Sequence, residues 1–445
     1  MVAPPRTQSS TQLLDVPPAA STDVDIEADA EIELDRLLAA GGVRSVYQPI
    51  VELYTGATVG YEALARAPHS SPLRSPDVLF AAARAAGRVT ELDLLCQKAA
   101  LAGARLAGLR TPWTLFVNVE PESAYATLLA SDRVEGVEQR TPEAMGCQIV
   151  VELTERALIA DPAALLALVG RIRARGWGIA LDDVGAHPDS LALLPLLSPD
   201  VIKLDLRLVQ QRATAEIAQI VTAVNAEAER SGSAVLAEGI ETPRHLDIAL
   251  SLGASLGQGW LLGRPVALPD PLPTFTGTSV RVNGAGELPS TRSPFEIVAA
   301  HRSARLSRKG LLIELSKHLE AQALTAGQST VVLSTFQNAS YFTPATRRRY
   351  AELAAQTAFV GVFGQDMPAE PQLGVRGTVL DVDDPLSGEW DIAVVGAHYA
   401  ATLVARDLGN SGPDRERQFE FVLSHDRSLA IQVALALISR VWSPD

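Results

Sequence analysis

The sequence predicts an α/β protein: a (βα)8 TIM-like barrel with an antiparallel first strand, plus a smaller C-terminal α/β domain. Three observations carry this reading. Eight short apolar runs recur in the first part of the chain. From the third run on, Ala- and Leu-rich segments with helical spacing separate most of them, as in a largely parallel sheet. Between the first two runs lie only a few residues with Thr55-Gly56 at the turn, too few for a helical crossover, so these two strands form a hairpin.

In chain order, residues 1–26 are rich in Pro, Ser, Thr and Ala and read as a disordered tail. The eight runs follow: VYQPIV, VGYEALA, TLFVNV, QIVVEL, GIALDD, VIKLDL, AVLAEG and GQGWLLG. DPAALLALVGRIRARG is the clearest helix between them, with Asp161 as N-cap and Gly176 past its end. The barrel spans 27–268. A stretch dense in Pro, Gly, Thr and Ser, 269–294, reads as a linker, and 295–445 as the second domain.

The bulk composition narrows the class. Of 445 residues, 47% are hydrophobic and 20% charged, an ordinary globular profile. There is neither an apolar run of about 18 residues nor a signal-peptide core, so no membrane span and a cytoplasmic location are expected. The net charge of −14 argues against a nucleic-acid surface. Cys96 and Cys147 are too few for a disulfide scaffold or a zinc site and read as buried small hydrophobes.

Polar residues sit in or at the ends of the runs: Gln48, Glu62, Asn118, Glu152, Asp182 with Asp183, Lys203 with Asp205, Glu238 and Gln258. Residues at the carboxyl ends of barrel strands converge on one mouth. Carboxylates gathered there stay ionised only if cations neutralise them. Oxygen ligands without Cys or His suit hard divalent ions, Mg²⁺, Mn²⁺ or Ca²⁺. The adjacent Asp182-Asp183 pair can grip two ions, and Lys203 adds a cation to the same mouth.

YQPIVELYTGATVGYEALAR, FVNV, VVELTE, IALDDVG, VIKLD, AEGIET and GQGWLLGRP, in this order over about residues 30–268, resemble the motif set of EAL-type cyclic di-GMP phosphodiesterases. The naming tripeptide is Glu62-Ala63-Leu64. The resemblance implies hydrolysis of cyclic di-GMP to linear pGpG with two Mg²⁺ or Mn²⁺ ions. Glu62, Asn118, Glu152 and Asp182 would bind one ion. Asp182 and Asp183 would bind the second, with Glu238 as ligand or base. Lys203 would orient the attacking water or stabilise charge at phosphorus, and Asp205 would line or support the site. Gln48, Arg66 and Gln258 would hold the nucleotide. Glu155 would steady the loop after Asp183, and a homodimer is implied.

That loop departs from the family text Asp-Asp-Phe-Gly-(Thr/Ala)-Gly-Tyr-Ser-Ser-Leu. Here it reads Asp182-Asp183-Val184-Gly185-Ala186-His187-Pro188-Asp189-Ser190-Leu191. His replaces a glycine and Pro follows it, so the loop is expected to take another path, with His187 as a surface residue. The alternative function is a catalytically weak receptor that binds the dinucleotide.

In the C-terminal third, FEIVAAHRSARLSRKGLLIELSKHLEAQAL shows helical spacing, either packed on the domain or forming a signalling and dimer helix. STVVLSTFQ, AFVGVFG, WDIAVVG and FEFVLSHD read as strands, with helical segments such as PATRRRYAELAAQT between them. FQNASYF, GEWDIAVVGAHYAATLVARDLG and LSHDR resemble the DICT domain, which implies a sensory or regulatory role without naming its ligand. Phe336, Gln337, Tyr341, Phe342, Trp390, His398, Arg406, Asp407, His425 and Asp426 stand out. They are either a small-molecule pocket or core aromatics with satisfied His-Asp and Arg-Asp pairs. Arg347–Arg349 read as a solvated helix face.

Overall fold

The computed structural model describes residues 22–120, 123, 146–153, 162–186, 188–192, 194–283, 292–409 and 413–441. The described residues open with α1 (Thr22–Ala40), whose first turn falls inside the stretch expected to be a tail. β1 (Arg44–Glu52) and β2 (Thr58–Arg66) form the anticipated hairpin, turning through Gly56 at φ 71°. Helices α2 (Pro76–Ala85) and α3 (Val89–Leu106) follow. Then come β3 (Thr114–Asn118), β4 (Gln148–Leu153), α4 (Pro162–Ala174), β5 (Gly178–Val184) and a 3-10 turn, Pro188–Ala192. The barrel ends with α5 (Leu194–Leu197), β6 (Val201–Leu204), α6 (Leu206–Gln210), α7 (Ala215–Ser231), β7 (Ala234–Ala237), α8 (Pro243–Ser251) and β8 (Leu256–Gly257).

The eight strands close a barrel in sequence order. β2 to β8 run parallel, and β1 is antiparallel to both of its neighbours, β2 and β8. This is the TIM-like barrel with a reversed first strand. The run GQGWLLG is mostly not a strand, since only Leu256–Gly257 pair. Gly259, at φ 155°, lies so close to the Ile240 backbone that any side chain would collide with it, and the chain turns away there. Gly176, at φ 72°, stops α4 as expected, while the proposed cap Asp161 lies outside the described residues.

Burial inside the barrel comes from Ile50, Val59, Phe116, Val150, Ala180, Val201 and Leu236. The stretch read as a linker contributes to it. Val280 is 5% exposed within this cluster, and Phe275 packs edge-on against Trp113 at 5.0 Å. The Asn283 amide donates to Asp200 Oδ1 at 2.6 Å, and Asp200 Oδ2 accepts from Ile179 N at 2.8 Å. Residues 272–283 are therefore a strap across the end of the barrel opposite the mouth. Their few apolar side chains override the loop-like composition, because a buried aliphatic side chain is worth about 1.5–3 kcal/mol.

The C-terminal unit is a separate α/β layer. It comprises α9 (Pro294–Ala299), β9 (Arg305–Arg308), α10 (Lys309–Ala326), β10 (Thr330–Asn338), α11 (Pro344–Gln356), β11 (Phe359–Gln365) and β12 (Arg376–Val379). β13 (Glu389–Gly396), β14 (Ala400–Asp407), β15 (Gln418–Ser424) and α12 (Arg427–Ile438) complete it. The seven strands lie in the order β12-β11-β10-β13-β14-β15-β9. The long helical reading of 295–324 is broken by β9, an edge strand carrying Arg305 and Arg308 that pairs with β15. α10 buries Leu312 and Leu319, so it packs on its own domain.

The conspicuous acids form Arg-Asp pairs, as one of the two readings expected, while Arg406 pairs with a glutamate. Arg406 bonds Glu420 at 2.8 Å, Asp407 faces Arg417, and Asp426 caps α12 and bonds Arg302 at 2.9 Å. His425 stacks edge-on with Tyr399. Arg349 turns inward to Glu320 at 2.6 Å, whereas Arg347 and Arg348 are exposed. Both cysteines are free: Cys147 is buried and Cys96 half-buried, and burial pushes their thiols up to about 11 and about 12. Among the described residues no helix is long and apolar enough to cross a membrane.

Candidate active site

Strand ends build the site. β2 carries Glu62, β3 Asn118, β4 Glu152, β5 Asp182 and Asp183, and β6 Lys203, while Glu238 and Gln258 directly follow β7 and β8. Because β1 runs backwards, Gln48 reaches the same mouth from mid-strand, paired opposite Glu62.

Lys203, 1% exposed, is the hub. Its Nζ lies 2.8 Å from Glu152 Oε1, 2.9 Å from Glu238 Oε1, 3.0 Å from Asp182 Oδ1 and 3.9 Å from Glu62 Oε1. Glu62 accepts from Asn118 Nδ2 at 3.0 Å and from Gln258 Nε2 at 2.6 Å. Gln258 Nε2 also reaches Gln48 Oε1 at 3.0 Å, and Gln48 Nε2 donates to the Gly263 carbonyl at 3.1 Å.

The charges do not balance. Glu62, Glu152, Asp182, Asp183 and Glu238 are five carboxylates around the Lys203 ammonium. Burial opposes the charge on Lys203, but Asp182, Glu152 and Glu238 outweigh it and hold the group well above its ordinary pKa. Burial, then the Glu62 charge, push Glu152 well above the carboxylate range. Burial, reinforced by Asp182, pushes Glu238 up to about 8. For Glu62, burial is overcome by Lys203 and the bonds from Gln258 and Asn118, leaving it below its ordinary value.

These residues fit a hard divalent cation. Asp182, Asp183 and Glu238 each offer an oxygen, all within 4.8 Å of one another. Glu152 Oε2, on the side away from the Lys203 contact, and Gln258 Oε1 are buried without a hydrogen bond, the kind of orphaned acceptors a cation satisfies. Two adjacent residues on a regular strand point to opposite faces. Here the β5–β6 register breaks between Leu181 and Val184, and Asp183 adopts φ 54°, so both acids join one cluster.

Other expected residues are placed differently. Asp205 does not join the Lys203 cluster. Its carboxylate caps α6, accepting from Arg207 N at 2.8 Å and Arg207 Nε at 2.9 Å, and Arg207 Nη2 in turn holds the Ala186 carbonyl at 2.8 Å. Asp205 thus braces the loop after Asp183. Arg66 donates to the Ala65 carbonyl at 2.8 Å and lines a cleft of about 310 Å³ beside Glu62 and Asn118. Glu155 and His187 lie outside the described residues.

One cleft residue escaped the sequence reading. Asp93, 2% exposed, accepts from Gln97 Nε2 at 2.8 Å and the Glu120 amide at 3.3 Å. The available signal was an acid on the buried face of α3, beside Val89, Leu92 and Ala100. Burial pushes it up to about 7 from 3.8. A carboxyl raised in the folded state binds its proton more tightly there, so stability falls as pH climbs between those values and levels off above 7. Asp93→Asn should remove that fall and be more stable than the parent at pH 8 by on the order of 4 kcal/mol at most. Parallel urea titrations from pH 4 to 8 check this; superimposable profiles would refute it.

The loop after Asp183 is described except at residues 187 and 193. The Gly185 amide donates to Ser190 Oγ at 3.1 Å, and Gly185, at φ 93°, leaves no room for a side chain against Leu208 and Ile220. Leu191, Leu194 and Leu197 are buried in a cluster continuous with Phe295, Val298, Leu429, Val433 and Leu437. α5 packs against α12, and the 3-10 turn Pro188–Ala192 touches β10 and β13. The loop that follows the two aspartates is an interface with the C-terminal unit.

A parallel barrel with one reversed strand and an acid-ringed lysine at its mouth defines the class of protein. Residues 31–265 match the EAL domain, and the chain belongs to this family. Residues 296–408 match the sensory domain of diguanylate cyclases and two-component systems, DICT. The cyclic di-GMP phosphodiesterase RocR of Pseudomonas aeruginosa is 32% identical over 246 residues, covering 54% of this chain and 62% of RocR. The cyclic di-GMP phosphodiesterase NbdA of the same organism is 30% identical over 246 residues, covering 54% of this chain and 31% of NbdA. An uncharacterized protein of Azorhizobium caulinodans is 32% identical over 263 residues, 56% of this chain and 33% of that protein. The chain thus spans less than two thirds of the length of each of these relatives.

Proposed function

We propose that the barrel hydrolyses cyclic di-GMP to linear pGpG and that the C-terminal unit regulates it. The carrying observation is the Lys203-centred carboxylate cluster, with its orphaned oxygens, beside the Arg66-lined cleft. The names of the relatives support the substrate. In this reading residues 27–268 are the catalytic unit and 295–445 the sensor, in a cytoplasmic homodimer.

Glu62, Asn118, Glu152 and Asp182 would hold one Mg²⁺ or Mn²⁺, and Asp182 and Asp183 a second, with Glu238 beside it. Bound divalent ions supply an acidified water and charge neutralisation at phosphorus. Lys203 stays charged across the neutral range and steadies negative charge at the phosphoryl oxygens. Glu238, within 4.8 Å of Asp182 and Asp183 and bonded to Lys203, is placed to act as ligand or as base toward the attacking water. Arg66 binds phosphate by a charge-assisted bond, and Gln48 and Gln258 orient the nucleotide. Asp205 serves through Arg207 by fixing the loop that follows Asp183.

Incubating the full chain with cyclic di-GMP and Mg²⁺ or Mn²⁺, then resolving products by chromatography, tests the reaction. The expected product is pGpG; tight nucleotide binding with no pGpG would replace the enzyme with a receptor.

Regulation rests on the docked loop. Arg427, at the start of α12, faces Glu227 and Arg230 of α7 across the two units. Arg427→Glu sets like charges against Glu227 and should change turnover by about 3-fold or more while leaving each unit folded. Unaltered turnover would disconnect this face from catalysis.

A further inference from the structure

The C-terminal sheet reverses its winding at β10. The chain crosses through α11 to the parallel neighbour β11 on one side, and β13 lies antiparallel on the other. A cavity of about 370 Å³ lies there, between α10, α11 and the ends of β10 and β13. That volume falls within the range of small-molecule sites.

Its walls are rigid and aromatic. Phe336 is held edge-on by Phe342 at 5.1 Å and Tyr350 at 5.5 Å, and Trp390 by Phe419 at 6.0 Å. Phe336 and Trp390 remain half-buried, so part of each ring is open. The β10–β11 ladder is interrupted between Thr335 and Asn338, and Gln337 sits at φ 55°. Phe336 and Gln337 are thereby released from the sheet at the cavity, and strained, bulged residues of this kind collect at binding sites.

Two polar features choose the ligand. Ser316, 6% exposed, lines the cavity, and its Oγ is buried without a hydrogen-bond partner. A ligand acceptor would satisfy this hydroxyl, which is otherwise buried without a partner. The lining holds four cations, Lys309, Lys317, Arg349 and Arg415, against two acids, Glu320 and Asp414. The acids are engaged by Arg349 and Lys309, each at 2.6 Å. Lys317 bonds the exposed Glu314 at 2.8 Å, a pair of little strength in water, and also acts on Glu320, which Arg349 already holds. The excess charge in the lining is positive.

We propose that this cavity binds a small planar aromatic acid, its ring against Phe336 and Trp390, its anionic group toward Lys317 and Arg415, and an acceptor at Ser316. The sensory-family match makes such a ligand apt as the input signal, but binding does not depend on the barrel's activity.

The test is calorimetric titration of the full chain with 2-naphthoate, 2-naphthamide and 2-naphthylmethylamine, one ring carrying three charges. Naphthoate should bind in the micromolar range, the amide about 10-fold more weakly and the amine not measurably. Ser316→Leu, which fills the cavity, should abolish naphthoate binding. The exposed double variant Lys317→Glu with Arg415→Glu, which leaves the core untouched, should weaken the acid about 10-fold and raise the affinity of the amine. Equal binding of all three compounds, binding by none, or full naphthoate affinity in the double variant would overturn the proposal. Each result stands apart from whether cyclic di-GMP is hydrolysed.

Discussion

Lys203→Met is expected to destabilise the metal-free protein by about 3–5 kcal/mol and to abolish hydrolysis. The Nζ within 3.0 Å of Glu152, Glu238 and Asp182 lies in a setting where removing one partner leaves the others charged and dry. Those acids then take up protons. The loss should therefore be smaller near pH 5 and larger near pH 8, because a carboxyl raised in the folded state contributes less stability as pH rises. Urea unfolding in EDTA at both pH values reads the effect. Added Mn²⁺ should recover part of it by replacing the missing positive charge. An unchanged midpoint in EDTA would mean that Lys203 does not balance the cluster.

Asp182→Asn is expected to cut turnover by about 100- to 1,000-fold or more and to weaken Mn²⁺ binding, with little change in fold. Asp182 stands at the meeting of two sets, bonded to Lys203 at 3.0 Å and grouped with Asp183 and Glu238. Removing its charge relieves repulsion, so the metal-free variant should melt no lower than the parent. Glu62→Ala should also lose hydrolysis, and calorimetry with Mn²⁺ separates lost metal binding from lost chemistry. Full activity in either variant would dismantle the site as described.

Much of this was legible in the one-dimensional text because barrel geometry is regular. Eight apolar runs with polar residues at their ends imply one mouth, whichever helices lie between, and the short gap after Glu52 admits only a hairpin. Glu62, Glu152, Asp182, Lys203 and Glu238 could be placed together on that basis, and they are together. Asp205 supports the site rather than lining it, for a local reason. Its position after Leu204 fits a mouth residue, but the chain turns into α6 at once, and a helix N-terminus claims an aspartate.

What the sequence by itself determined is the alternation of strands and helices, the reversed first strand and the identity of the acids, since these follow from periodicity and chain length. Tertiary structure alone decided that two neighbouring aspartates share one face, because a break in register is a property of the pairing and not of either strand. It also decided that residues 272–283 seal the barrel and that the loop after Asp183 belongs to an interface. Scattered apolar residues in Pro- and Ser-rich text carry no periodic signal, and they acquire one physical role only when a distant surface is there to cover them.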